Sequence, residues 1–438
     1  MRPTRFLDPL YGVIEFDERE KELLFSPEFQ RLRYVRLCNI NSLFISGASE
    51  PSRFEHCVGV YYLAREWARR NNLSVEDAFT FKSAALLHDL QTGPFGHSFQ
   101  YVLEDNRFDE TFEHANLSHG SAANFHQRTT RGAAFAGKQF TVPFLLASNQ
   151  DRVWEAVRGG GRFGPLISGT LDLDNLDNVV RLAFHVGLCN DTDRKLPTTF
   201  VDLVGIENDT IKTNNEGRRL IQRWLDIRAD LYRYLLLDRG EFSAKAMLTL
   251  AVEIAIDHNI LYPDHWTLTD DELIAHIENH AVGDAQQASR IVKRLRVGHL
   301  FEEVGVWTTQ DIRIYDLLSS SKSKRQFEKE VESFASVQGG EKLNLCLHTI
   351  LDHRKTRRAV TYLNSDTQIK EVAGADSADM HLGLFFTNDR SVSVSERTVA
   401  KYKHAFSQAI AKYTQHEVAL ADDPLFPVEA APTQFPLI

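Results

Sequence analysis

The stretch Leu86-Leu87-His88-Asp89-Leu90-Gln91-Thr92-Gly93-Pro94-Phe95-Gly96-His97 decides how this chain reads. The apolar run Ser83-Ala84-Ala85-Leu86-Leu87 reads as a helix that delivers an adjacent histidine and aspartate. Gly93 and Pro94 cannot continue that helix, so it stops just after the pair. Inside a helix, neighbouring side chains diverge by about 100°. At a helix end that turns into a Gly-Pro loop, both can point into one cavity. A neutral imidazole and a carboxylate are natural partners on one divalent cation. Taken alone, the dipeptide favours a plainer reading, a surface His-Asp at a helix C-terminus.

Working outward changes that balance. Upstream, Ser52-Arg53-Phe54-Glu55-His56-Cys57-Val58-Gly59-Val60 opens another apolar helix. Downstream stands Leu171-Asp172-Leu173-Asp174-Asn175-Leu176-Asp177-Asn178. A distant His, a His-Asp pair and a late Asp resemble the four-ligand site of the HD phosphohydrolase superfamily. The likeness narrows to the deoxynucleoside triphosphate triphosphohydrolases. Asp8-Pro9-Leu10-Tyr11-Gly12-Val13-Ile14-Glu15-Phe16, Phe29-Gln30-Arg31-Leu32-Arg33-Tyr34, Gly47-Ala48-Ser49 and Arg53-Phe54-Glu55-His56 resemble that family too. The likeness covers about residues 6–415 and is strongest before residue 190.

The resemblance implies a mainly α fold, an HD-type helical phosphohydrolase core with a small C-terminal α/β lobe. The boundaries expected are 1–305 for the core, 306–420 for the lobe and 421–438 for a flexible tail with four prolines. In chain order, residues 6–16 read as extended or turn, and residues 18–37 as helix with a cap signal at Ser26-Pro27. Residues 41–52 read as loop, and 55–71 and 74–88 as helices, the second capped by Ser74. A helix is expected at 114–127, then an irregular stretch over 128–165 that could form a lid. Helices follow at 172–187, 216–238, 242–258, 269–280 and 285–297. Strands are expected at 343–348 and 382–386, and a last helix at 396–415.

The resemblance assigns His56, His88, Asp89 and Asp174 to one divalent metal ion, which could be Mg, Mn, Fe or Zn. Such an ion activates water and polarises a phosphoryl oxygen. Asp172 and Asp177 compete with Asp174; the family match favours Asp174. His97 and His114 match family histidines that serve the phosphates or protonate the leaving group, and a histidine near pKa 6.5 suits either task. His119 is a rival for the second. Arg53, three residues before His56, is placed to fork onto phosphate oxygens. Asn175 and Asn178 stand where the mammalian relative has Lys and Tyr near phosphates and sugar. Leu182 replaces an Asp that reads the 3′-hydroxyl, and Gln91 and Thr92 replace the usual Gly and second His. Gln30 and Arg33 match residues of a nucleotide effector site, whereas Phe25 falls where an Asp reads guanine.

The implied reaction is hydrolysis of a deoxynucleoside triphosphate to nucleoside and triphosphate, with nucleotide regulation and a homo-oligomer. Depletion of nucleotide pools, for housekeeping or against phage, is the cellular use that goes with it. The altered pocket keeps two rivals in view: a phosphatase or phosphodiesterase acting on another nucleotide, and a nucleotide-gated sensor without turnover. Composition bounds the choice. The chain has 438 residues with 43% hydrophobic content, enough for a large core. A net charge of −10 argues against duplex nucleic acid as a partner, yet permits a local basic pocket for a small anion. Four cysteines without a CxxC pair fit reduced thiols in a cytoplasmic protein. No run of 18 apolar residues marks a membrane span.

Overall fold

The computed structural model describes residues 4–38, 51–106, 142–337, 343–352, 358–372, 379–388, 394–414 and 421–422. It is mainly α, with small sheets toward the C-terminus. The chain opens with an antiparallel hairpin, β1 (Thr4–Asp8) and β2 (Gly12–Phe16). Gly12 takes φ +73°, the turn conformation that a side chain resists. The helix expected over 18–37 is broken into α1 (Glu18–Leu24), α2 (Pro27–Arg31) and a 3₁₀ turn at Leu32–Tyr34. Ser26 and Pro27 cause the break. The Ser26 hydroxyl caps α2 by accepting from Phe29 N, and Pro27 suits only a first turn.

The first core is built by α3 (Arg53–Arg70), α4 (Val75–Leu87), a short α6 (Gln150–Val157), α7 (Leu173–His185) and α8 (Asn215–Leu237). Ser52, Ser74, Asp172 and Asn214 cap α3, α4, α7 and α8 through side-chain acceptors, so each start is set by its own sequence. α3 packs on α4 and on α7, and α7 packs on α8. Between α4 and α6 lies α5 (His97–Asn106), which packs with α9 (Arg239–Asp257), α10 (Asp270–His280) and α11 (Gln286–Arg296) in a second core. The expected 114–127 helix and the first part of the 128–165 stretch, through residue 141, lie outside the described residues. The described part of that stretch is helical, at Val142–Leu146, α6 and Gly164–Ile167.

The last third forms an antiparallel sheet in the order β10 (Ala421–Asp422), β5 (Glu302–Thr309), β9 (Asp379–Phe386), β6 (Leu345–Asp352). Helices α12 (Ser321–Val337) and α13 (Glu396–Thr414) cover it in a third core. The sequence reading had no helix at α12. A second sheet joins the middle of the chain to its last third: β3 (Gly205–Glu207), β4 (Thr210–Lys212), β7 (Val360–Leu363), β8 (Ile369–Val372). Strands β4 and β7 run parallel, through Lys212 and Leu363. Val360, Tyr362 and Val372 thereby join the first core. Strand β5 crosses the expected boundary at 305, and Ala421–Asp422 of the expected tail pair with Thr308 and Trp307. Among the described residues no helix is long and apolar enough to cross a membrane.

Candidate metal centre

Four side chains converge between the first turns of α3 and α7 and the end of α4. His56 sits in the first turn of α3, fixed by the Ser52 cap. His88 is the C-cap residue of α4, and Asp89 follows as the chain leaves the helix. Asp174 lies in the first turn of α7. His56 Nε2 is 3.2 Å from His88 Nε2 and 3.0 Å from Asp174 Oδ1. His88 Nε2 lies 3.6 Å from Asp174 Oδ1 and 3.7 Å from Asp89 Oδ2, and His56 Nε2 lies 3.9 Å from Asp89 Oδ2. Donors sharing one tetrahedral ion at about 2.1 Å stand roughly 3.4 Å apart, so the separations among His56, His88 and Asp174 suit a common ion, with Asp89 grouped through His88.

Hydrogen bonding on the far side of each ring sets the tautomers. His88 Nδ1 faces Ala85 O at 2.9 Å, so it must donate. His56 Nδ1 donates to Asp177 Oδ1 at 2.7 Å. Both inward Nε2 atoms then carry lone pairs, 3.2 Å apart. Two lone pairs cannot satisfy each other, so a proton or a metal ion must lie between them. The pKa directions tell the same story. Burial pulls both imidazoles down, yet Asp174 and Asp177 raise His56 to about 9, and Asp89 with Asp174 raise His88. Burial would raise Asp174, but His88 and His56 hold it well below the usual carboxylate range. Cys57 also approaches Asp89 and His88. Burial and the charge of Asp89 push its thiol well up.

The three aspartates of 172–177 separate cleanly by position on α7. Asp172 is the N-cap, accepting from Asn175 N at 2.7 Å and Gly169 N at 2.8 Å. Asp174 points into the cluster. Asp177, fully buried, orients His56 and is gripped by Arg181 at 2.8 and 2.9 Å and by Tyr11 at 2.8 Å. Arg181 also reaches Asp8 and Glu55. Gly59 is required by this packing: a Cβ there would stand 2.2 Å from Arg181 Nη2 and from Asp177 Oδ2.

Asp89 is held on both oxygens. Thr92 Oγ1 donates to Oδ1 at 2.9 Å, and Arg53 Nη1 donates to Oδ2. Arg53 thus orients a cluster carboxylate, a role the sequence reading did not give it. The loop that follows is pinned from several elements. Arg31 donates to the carbonyls of Leu90, Thr92 and Leu268. Trp266 Nε1 donates to Gln91 O at 2.7 Å, and its indole lies against Gly93 so closely that a Cβ there would be 2.7 Å away. Asp270 accepts from Phe95 N at 2.8 Å, holding Phe95 at φ +52°. Such a φ in a bulky residue is strained and persists only where its surroundings impose it.

Other expected residues fall as follows. His97 opens α5, but its side chain, like the whole of His114, lies outside the described residues. Asn175 does not present a free amide: its Oδ1 accepts from Arg358 at 2.6 Å and its Nδ2 donates to Asp172 at 2.8 Å. Asn178 Oδ1 is buried without a partner among the described residues. Gln30 donates to Leu24 O, Arg33 donates to Gln30, and the Arg33 guanidinium stacks 3.5 Å above Phe54. Sequence reasoning missed Asp177 as the orienter, with Arg181 four residues on as the available signal. It also missed Arg228 on α8. Arg228 is 5% exposed, lies over Tyr232 and Trp224, and pairs with no carboxylate among the described residues.

A family described as the HD domain matches residues 53–160, which include Arg53, His56, His88 and Asp89. The chain carries an HD domain. Relatives extend the match past it. An uncharacterized protein of Methanocaldococcus jannaschii is 28% identical over 180 residues, 41% of this chain and 33% of that protein. One of Mycoplasma genitalium is 28% identical over 223 residues, 50% of this chain and 50% of that protein. Deoxynucleoside triphosphate triphosphohydrolase SAMHD1 of Danio rerio is 37% identical over 215 residues, 43% of this chain and 34% of that protein. The chain thus matches half or less of the length of these relatives. Asp174 lies beyond the matched HD domain, so α7 completes the cluster from outside it.

Proposed function

We propose that this protein is a metal-dependent phosphohydrolase that cleaves a deoxynucleoside triphosphate to deoxynucleoside and triphosphate. One observation carries the reading: the inward imidazole nitrogens of His56 and His88 and a carboxylate oxygen of Asp174 converge on one point, with Asp89 Oδ2 3.7 Å from His88 Nε2. His56, His88, Asp89 and Asp174 are the ligands in this reading. When bound, a divalent ion supplies Lewis acidity toward a phosphoryl oxygen and toward water. The chain's own residues do the rest. Asp177 and the Ala85 carbonyl fix the two histidine tautomers, and Arg53 with Thr92 fixes Asp89. Asp174 keeps 30% of its side chain exposed, which leaves one side of the cluster open to substrate.

An anionic substrate is supported by Arg228. A buried guanidinium without a carboxylate costs several kcal/mol of desolvation unless an anion joins it. Phosphate oxygens would supply that anion. Water oxygen bonds to the α-phosphorus as the bond to the 5′-oxygen breaks, and the 5′-oxygen takes a proton. His97 and His114 are the donors in this reading, and Asn178 Oδ1, which has no partner among the described residues, accepts from a sugar hydroxyl. The deoxynucleoside triphosphate itself rests on the SAMHD1 relatives. A nucleotide effector near Gln30 and Arg33, a homo-oligomer and a cytoplasmic location complete the proposal. The test is purified protein with Mg, Mn, Fe or Zn against a panel of dNTPs, NTPs and cyclic nucleotides. Nucleoside and inorganic triphosphate in equal amounts are expected. Release of monophosphate or orthophosphate alone, or no turnover with any metal, overturns it.

A further inference from the structure

The C-terminal segment reaches the metal centre through Arg358. Strand β7, just after it, is tied to the core by its parallel pairing with β4, and Thr170 Oγ1 donates to Thr361 O at 3.0 Å. Arg358 Nη1 donates to Asn175 Oδ1 at 2.6 Å, and Nη2 donates to Gly169 O at 2.9 Å. Asn175 directly follows Asp174, so the guanidinium is anchored one residue from the cluster. Those bonds engage two of the five N–H donors of an arginine. Among the described residues no carboxylate pairs with Arg358. Asp172 and Asp174 attract its charge from a distance, and Arg228 repels it. Arg358 thus lies beside Asn175, and Arg228 is close enough to perturb it; among the described residues neither has a carboxylate partner. An anion between them would relieve the repulsion, and a phosphate offers oxygens in the geometry that a guanidinium fork prefers.

We propose that Arg358 is a substrate-binding residue: held by Asn175 and Gly169, its guanidinium contacts the phosphate chain, so the C-terminal segment completes the site. This rests on the phosphohydrolase reading above. It also gives Asn175 a job, as the anchor of a cation and not a substrate contact. The full chain is used throughout, as wild type, Arg358→Gln, Arg358→Lys and Asn175→Ala. Calorimetry with inorganic triphosphate and loaded metal gives Kd, and nucleotide turnover gives KM and kcat. Arg358→Gln is expected to weaken triphosphate binding about 10- to 100-fold, the worth of one hydrogen bond to a charged group. KM should rise by a similar factor while kcat changes less. Arg358→Lys should recover part of the loss, since it keeps the charge without the fork, and Asn175→Ala should lose less than Arg358→Gln. Metal content and melting temperature should stay at wild-type values.

Arg358→Gln with wild-type Kd and KM overturns the proposal. So does a loss that Asn175→Ala matches and Arg358→Lys does not relieve, because a purely structural tie behaves that way. If the Gln variant does not fold, an unchanged Kd in Arg358→Lys overturns the fork. A wild type that neither binds triphosphate nor hydrolyses any nucleotide overturns the phosphohydrolase reading together with this one. A wild type that does both, matched by Arg358→Gln, overturns this one alone.

Discussion

Asp177→Asn tests whether the centre depends on a carboxylate that never touches the metal. Asp177 accepts four hydrogen bonds: His56 Nδ1 and Arg181 Nε on Oδ1, Arg181 Nη2 and the Tyr11 hydroxyl on Oδ2. Asparagine keeps the shape but turns one acceptor into a donor. If its NH₂ faces His56, Nδ1 must accept, the proton moves to Nε2, and the lone pair needed inside is lost. If it faces Arg181 Nη2, two donors meet there, and Arg181 keeps its Nε bond to Oδ1 with Asp8 and Glu55. Either way there is a cost. Breaking one partner of a buried pair costs roughly 3–5 kcal/mol. The remaining carboxylates on Arg181 place this case near the lower end, about 3 kcal/mol of folding stability. Loss of a partner that orients a ligating histidine lowers metal affinity about 10- to 100-fold, or about 1.4–2.7 kcal/mol. Urea unfolding measures the first quantity, and equilibrium dialysis with elemental analysis measures the second. Wild-type metal affinity in a folded Asp177→Asn protein would refute the tautomer argument.

Gly59→Ala should be harsher than its size implies, because its Cβ would meet Arg181 Nη2 and Asp177 Oδ2 at 2.2 Å; a loss of about 3 kcal/mol or more in urea is expected, and a wild-type midpoint counts against the packing described. His88→Ala and Asp89→Ala should each lose bound metal and turnover while keeping the helical signal in circular dichroism, and full metal occupancy in both would exclude them as ligands. Glu328, buried beside Arg325, has its carboxyl raised to about 7 from 4.5 because burial outweighs the arginine. The folded state therefore holds a proton that the unfolded chain has shed across that window, so its stabilising contribution is full below 4.5 and lost as pH rises through 7; Glu328→Gln should flatten the fall of melting temperature with pH, and an unchanged slope assigns the fall elsewhere. Leu182 is 3% exposed and has no polar atom to offer a 3′-hydroxyl. Dideoxy substrates should thus be cleaved within about tenfold of deoxy ones in kcat/KM, about 1.4 kcal/mol, whereas a thousandfold preference would show that other residues read that hydroxyl.

What the sequence shows of this site follows the periodicity of its elements. His56, His88, Asp89 and Asp174 are legible because each sits at a helix end marked by a cap or a Gly-Pro stop. The choice among Asp172, Asp174 and Asp177 depends on helix phase. Residue 172 is the cap, and only the caps fix which side of α7 faces α3. Thr92 reads in sequence as a lost histidine, yet in the fold its hydroxyl holds Asp89. Arg31, Trp266 and Asp270, which pin the loop after Asp89, come from distant segments and carry no local signal. Arg358 had a faint one: it ends the basic run His353-Arg354-Lys355-Thr356-Arg357-Arg358 in an acidic chain. Helix α12 was hidden by the charges of Ser321-Lys322-Ser323-Lys324-Arg325, although Phe327, Val331 and Ala335 keep a helical period behind them.

The charges around the centre sort into two sets with different duties. In the inner set every cation has a carboxylate: Arg53 on Asp89, and Arg181 on Asp177, Asp8 and Glu55. Those pairs hold Asp89 and His56 in place and leave a demand for positive charge at the two imidazole nitrogens. In the outer set, Arg228 and Arg358 have no such carboxylate among the described residues, and they leave a demand for negative charge. In the proposed reading a metal answers the first demand and a phosphate chain the second, so neither alone completes the site. The two demands also separate in experiment. Loss of Asp177 or Arg181 should be read in metal content and stability. Loss of Arg358 should be read in phosphate affinity, with the metal still bound. A single variant that moved both readouts together would mean the two sets are one network, and the division of labour argued from these pairings would not stand.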